Sequence, residues 1–157
     1  GIYKAILHSA RAFIDQGKKT AALPNGRLSG EELSKNASPS IAADKNGVTA
    51  LIESAVKLNP ANYREAFCLD IMLHPSALSG DEGFAVFKGI IMTYLKKDGM
   101  SLQFNVLNTD TLRDAQSHPE KYQNLQVRVC GWNVLWNNMS QAEQDAYIKK
   151  SEAAKTE

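Results

Sequence analysis

Apolar residues recur along this chain with two different spacings. Ile2, Ala5, Ile6, Ala10, Phe13 and Ile14 fall near helical spacing and predict an opening helix. Residues 23–47, LPNGRLSGEELSKNASPSIAADKNG, carry no period and are rich in Gly, Pro, Ser and Asn, which predicts a long structured loop. Helical spacing returns through Val48, Leu51, Ile52, Ala55 and Val56. AFCLDIMLHPS then alternates, with Phe67, Leu69, Ile71 and Leu73 on one face and Cys68, Asp70, Met72 and His74 on the other, and Pro75 ends the strand. Ser79 and Glu82 have the spacing of a capping box, ahead of a helix striped by Phe84, Phe87, Ile90, Ile91, Tyr94 and Leu95 and stopped at Asp98-Gly99.

SLQFNVL reads as a second strand, Leu102, Phe104 and Val106 facing one way and Gln103 and Asn105 the other. DTLRDAQSH is a short helix ended by Pro119, LQVRVC a third strand, and Ser140 with Glu143 caps a last polar helix. Strands alternating with helices predict an α/β fold with parallel strands. Three strands make a thin sheet, so the chain is expected to be part of a larger α/β structure, poorly soluble alone because of its open sheet edge.

Composition narrows the function. Of 157 residues, 43% are apolar and 22% charged, with a net charge of +1, an ordinary globular balance. Lys and Arg are scattered, which leaves no electrostatic footprint for nucleic acid, and no apolar run approaches a membrane span. Cys68 and Cys130 form no CxxC and have no His at ligand spacing, so neither a disulfide framework nor a zinc site is expected, and the cytoplasm is the expected compartment.

One position asks for more. Gly131 follows the third strand, where sites of parallel α/β folds collect. The plain reading is a turn glycine needing positive φ. Against it stand Trp132 and Trp136, which are unusual in a solvated turn and predict a buried loop.

RVCGW, residues 128–132, resembles the radical-site signature of the glycyl radical enzymes, Arg-Val-small-Gly-Tyr/Trp. The loop motifs Gly-Arg-x-x-Gly, Ser-Pro and Asp-x-x-Gly within residues 23–58 follow that family in the same order, as do HPSALSGDEGF, QFNVLNTDTLRDAQSHPEKYQNLQVRVCGW and MSQAEQDAYI. The resemblance covers nearly all the chain from Leu23 onward, with residues 1–22 read as a helix of the preceding region and 23–157 as the C-terminal glycyl radical domain. It implies the C-terminal part of a ten-stranded α/β barrel carrying a buried glycyl radical loop. Gly131 would hold the radical, since a Cα radical delocalised into both flanking amides needs a planar centre without a Cβ.

The resemblance further implies that no cofactor is bound. A radical S-adenosylmethionine activase with an iron–sulfur cluster would install the glycyl radical, and the radical would pass to a thiyl cysteine outside this chain. The rest of the enzyme and other copies of it are the further expected partners. Cys130 and Trp132 stand where the pyruvate formate-lyases carry Ser and Tyr, and QFNV is similar to the lyase, dehydratase and decarboxylase branches, with an arylacetate decarboxylase favoured. Two other readings remain open: a stand-alone subunit that docks on a damaged glycyl radical enzyme, and a non-catalytic α/β binding module.

Supporting roles around the radical loop fall to Arg128, Cys130, Trp132, Gln103 and Asn105. Gln103 and Asn105 are expected to steady the loop by backbone hydrogen bonds, and Cys130 to pack. Cys68 is expected in the core, as is the aromatic set Phe84, Phe87 and Tyr94. His74 is expected to close its strand, Asn133, Asn137 and Asn138 to satisfy loop backbone, and Ser38, Pro39 and Asp44 to serve as turn and cap residues.

Overall fold

A computed structural model describes residues 3–6, 12–40, 43–129 and 132–155. Five helices and four strands are present among them: α1 (Ala12–Lys19), α2 (Gly47–Val56), β1 (Cys68–Leu73), α3 (Gly80–Lys96), β2 (Ser101–Val106), α4 (Thr109–Ser117), β3 (Gln126–Val129), β4 (Trp132–Leu135) and α5 (Gln141–Lys155). The expected opening helix is shorter than its apolar spacing suggested. Tyr3–Ile6 have no regular structure, and Tyr3 and Ile6 stand exposed, so their apolar side chains form no buried stripe.

β1 and β2 pair in parallel, Cys68 opposite Ser101 through Leu73 opposite Val106, with α3 as the crossover between them. All six residues of β1 are buried. Leu69, Ile71 and Leu73 join Phe67 in a core with Leu51, Ile52 and Ala55 of α2 and Ile90 and Tyr94 of α3. The opposite face, with Asp70 and Met72, is covered by α5 and the loop before α2. A second core gathers Leu112 and Ala115 of α4, Val127, Trp136 and Ile148 of α5.

The expected third parallel strand is instead half of a hairpin. β3 pairs antiparallel with β4, Arg128 opposite Asn133 and Val129 opposite Trp132. No ladder joins β3 to β2. An amide side chain makes that joint, as described below.

Helix ends follow local chemistry more than pattern. At α5 the expected reciprocal cap forms: Ser140 N–H and Oγ–H both donate to Glu143 Oε2 at 2.8 Å, and Glu143 N–H donates back to Ser140 Oγ at 3.4 Å. Ahead of α3 it does not, because Ser79 Oγ turns to the Pro75 carbonyl at 3.4 Å and caps nothing. The stripe on α3 is also narrower than expected. Ile90 and Tyr94 are buried, but Phe84 is 67% and Leu95 52% exposed. Tyr94 donates to the Phe67 carbonyl at 3.2 Å, and burial pushes its hydroxyl pKa up to about 12. Asp98 takes a left-handed φ of 61° to end α3, and Gly99 lies so close to the Tyr94 ring that a Cβ there would sit 2.4 Å from it.

The long loop is structured, as expected. Arg27, buried, donates through its guanidinium to the carbonyls of Glu31 (2.5 Å), Ala21 (2.6 Å) and Thr20 (3.0 Å), tying both arms of the loop together. Further on, Ser38 closes a turn, its N–H donating to the Lys35 carbonyl at 2.9 Å, and is also a strand-edge partner. Ala37 N–H donates to the Cys68 carbonyl at 3.0 Å and Asp70 N–H to Ser38 Oγ at 2.8 Å, so this segment covers the free edge of β1. Asp44 is not the cap of α2, which starts behind Asn46 without a side-chain cap.

Candidate functional site: the hairpin around the strand-end glycine

The site is built on the stem of the β3–β4 hairpin. Gly131 and Cys130 lie outside the described residues, so the geometry begins at their flanks. Asn105 projects from the polar face of β2 and is 7% exposed. Its Oδ1 accepts the Arg128 N–H at 2.9 Å and its Nδ2 donates to the Arg128 carbonyl at 3.1 Å. The planar amide thus makes the pair of bonds that a neighbouring strand would have made. The Arg128 carbonyl accepts a second bond, from Tyr147 Oη of α5 at 2.7 Å. Across the hairpin, Arg128 Nη1 donates to Asn133 Oδ1 at 3.0 Å. Four bonds from three elements therefore hold the residue two positions before Cys130.

Gln103 is buried at 6% exposure. Its Nε2 has no acceptor among the described residues, and it lines a hollow with Cys68 and Arg128. β2 thus turns its polar positions inward and leaves Leu102 and Phe104 half-buried and Val106 exposed. A face built of amides is the chemistry needed to receive backbone that has no strand partner.

The tryptophans part company. Trp136 is fully buried, edge-on to Tyr147 at 6.4 Å between ring centroids, while Trp132 is 69% exposed. The expectation that both tryptophans bury the loop is corrected at Trp132, which opposes Val129 at the end of the ladder with nothing packed over it. Asn137 donates to the Pro119 carbonyl at 2.8 Å, the loop-backbone role expected of it.

Cys68 is buried in β1, and burial pushes its thiol pKa up; nearby Asp70 acts the same way, against a hydrogen bond from Ser101 and the charges of Lys35 and Arg128. A thiol kept protonated in a strand is a packing residue by chemistry. His74 closes β1: its Nδ1 accepts the Ser76 N–H at 3.3 Å at the start of the Pro75–Leu78 turn.

Sequence reasoning passed over Asp70, Lys35 and Tyr147. Asp70 is 1% exposed, and its Oδ2 takes Asn36 Nδ2 at 2.9 Å, Lys35 Nζ at 3.2 Å and Ser38 Oγ at 3.5 Å. Lys150 of α5 lies within electrostatic reach of it; burial holds that amine below the ordinary lysine range, and Asp70 opposes the shift. A cavity of about 80 Å³ between α1, α5 and the sheet is lined by Lys35, Met72, Asn105, Val129, Tyr147 and Lys150, among others. A charged residue alternating inward within an apolar strand was the available signal for Asp70. Nothing in the spacing of Tyr147 pointed to Arg128.

A glycine radical family model matches residues 33–137. The chain is 40% identical over 137 residues to the indoleacetate decarboxylase of Tractidigestivibacter scatoligenes, covering 87% of this chain and 16% of that protein. It is 38% identical over 138 residues to the 4-hydroxyphenylacetate decarboxylase glycyl radical subunit of Clostridioides difficile, covering 87% of this chain and 15% of that one. Among solved structures, that of 1,2-propanediol dehydration in Roseburia inulinivorans superposes with a TM-score of 0.89 at 37% identity, over 96% of this chain and 19% of the other. This chain belongs to the glycyl radical enzyme family. It spans less than a fifth of the length of these relatives. Among the described residues no helix is long and apolar enough to cross a membrane.

Proposed function

We propose that Gly131 stores the radical of a glycyl radical lyase and that this chain is its radical-bearing C-terminal part, a portion of a ten-stranded α/β barrel. The observation that carries the reading is the stem of the hairpin, where Arg128 is fixed through its main chain by Asn105 and Tyr147 just ahead of the family's radical position. The radical on Gly131 requires its Cα and both flanking amides to stay planar, so a stem that fixes backbone is the support this chemistry needs. Arg128, Gln103 and Asn105 are positioning residues in this reading. The unpartnered Gln103 Nε2 is a donor for loop backbone, Cys130 packs, and Trp132 meets the remainder of the enzyme.

The activase's iron–sulfur cluster would give one electron to S-adenosylmethionine, splitting it into methionine and an adenosyl radical that takes one hydrogen atom from the Gly131 Cα. Gly131 then regains a hydrogen atom from the thiol of a cysteine outside this chain, and the resulting thiyl begins the reaction on substrate. No cofactor is held by these residues themselves. The similarity to an indoleacetate and a 4-hydroxyphenylacetate decarboxylase supports an arylacetate as substrate, losing carbon dioxide to leave the methylarene; the reading also places the full enzyme in the anaerobic cytoplasm as a homo-oligomer.

The test is electron paramagnetic resonance of the intact enzyme after anaerobic activation. A doublet from one α-hydrogen, absent in Gly131→Ala, is expected. A folded enzyme that stays silent with its cognate activase would return Gly131 to a turn glycine. Products from an arylacetate, against a diol, decide the substrate class. The mass of the protein in its cell separates a continuous enzyme from a split or repair subunit.

A further inference from the structure

The side of Arg128 that faces α5 does more than fill space. We propose that α5 is a clasp on the radical hairpin and that Tyr147 is its positioning residue, seated by the buried Asp70 cluster; this rests on the reading of Gly131 above. Three observations converge. The Arg128 carbonyl takes its second hydrogen bond from Tyr147 Oη at 2.7 Å, completing what Asn105 Nδ2 begins at 3.1 Å. Three residues further on the same helix, Lys150 lies within electrostatic reach of Asp70, whose Oδ1 has no partner among the described residues. Lys35 and Asn36 bind that carboxylate from the long loop, and Lys35 and Lys150 line the same cavity, where α5 packs over β1.

The rest of α5 is held by Ile148 in the second core and by polar contacts. Ser151 Oγ meets Thr109 Oγ1 at 2.9 Å, Gln144 Nε2 donates to the Trp136 carbonyl at 2.9 Å, and Gln116 Nε2 donates to Asp145 Oδ1 at 2.8 Å. With Ile148 anchored in the second core and these bonds around it, the helix holds Tyr147 in place against the hairpin stem. Tyr147 is the member of that set that touches the hairpin stem, through a main-chain atom two residues before Cys130.

The experiment uses the intact enzyme and three proteins: the parent, Tyr147→Phe and Gln116→Ala. Phenylalanine keeps the ring edge-on to Trp136 and removes only the hydroxyl. Gln116→Ala removes one exposed bond to Asp145 of α5, leaving the core anchor of the helix and the Tyr147 hydroxyl in place. Amide exchange at Arg128 is read before activation, and decay of the radical doublet afterwards. Tyr147→Phe is expected to speed Arg128 exchange on the order of tenfold, the scale of one lost hydrogen bond, and to shorten the life of the doublet, while Gln116→Ala leaves both near the parent. Equal effects from the two variants, or none from Tyr147→Phe, would overturn the clasp. A parent that gives no doublet refutes the radical assignment alone, because the exchange measurement still decides whether the hydroxyl holds Arg128.

Discussion

Asn105→Asp is the sharpest probe of the joint between β2 and β3, because it changes one atom and almost no volume. The carboxylate keeps the acceptor for the Arg128 N–H at 2.9 Å. Its other oxygen replaces Nδ2 and faces the Arg128 carbonyl at 3.1 Å, acceptor against acceptor. Losing a buried bond of this kind costs about 1–3 kcal/mol. The new charge, at a position 7% exposed, adds to that, and Lys35 and Lys150 on the same cavity offset part of the addition. At neutral pH, Arg128 amide protection should therefore fall about 5- to 150-fold relative to the parent, at 1.4 kcal/mol per factor of ten.

The loss is expected to reverse with acid. Burial and the facing carbonyl raise the folded pKa of the introduced carboxyl above its unfolded value of about 3.9. A raised folded pKa means that the contribution is complete below the unfolded value and is lost as pH rises through the folded one. Below that point the protonated carboxyl donates to the Arg128 carbonyl as the amide did. Hydrogen exchange of the intact enzyme, each variant divided by the parent at the same pH, is the assay. Asn105→Ala, which loses both bonds, should show a deficit that does not vary with pH. An Asn105→Asp deficit that is absent, or flat across the acid range, would refute the account of the joint.

Three further expectations follow from single side chains. Burial first, and then the charge of Glu143, raises the Glu32 pKa against a smaller opposing effect of Lys18, so the ionised carboxylate is disfavoured in the fold. Glu32→Gln should raise the melting temperature at neutral pH, with the gain vanishing below about pH 4, where the parent residue is neutral in both states; a gain that persists in acid would count against the charge as its cause. Gly99→Ala should destabilise by about 1–3 kcal/mol, because its Cβ would press on the buried Tyr94 ring, read as a lower urea midpoint. Cys68, with its thiol pKa pushed up by burial, should resist alkylation at neutral pH until the protein is unfolded. Rapid labelling of the native enzyme would show it to be accessible and ionisable.

How far the sequence was legible varied with what each residue faced. Cys68–Leu73 was plain as a strand, since alternation and the following Pro75 agree. Its burial on both faces was not, because α5 arrives from a distant part of the chain. Phe84 and Leu95 were misplaced for a related reason: helical spacing shows an apolar stripe, but not how much of it this segment covers, and the chain is a small part of the lengths it matches. The hairpin was missed although VRVCGWNVL carries its signature, two β-rich runs around a two-residue link ending in Gly. Gln103 and Asn105 were legible as a polar face, whereas the partners of Asn105 were fixed only by the turn of β3 into β4. Tyr147 on Arg128 is a contact across 19 positions that no periodicity encodes.

The joint at Asn105 also bears on how mutations are tolerated. It grips only the N–H and carbonyl of residue 128, so it takes no account of which side chain that residue carries. Position 128 is free to change as far as this grip is concerned, except to proline, which has no N–H to offer. Position 105 has no such latitude, because an amide alone supplies donor and acceptor at that spacing without charge. In a saturation scan this pair of bonds should therefore constrain position 105 far more than position 128, where the side chain has only its own bond to Asn133 to lose.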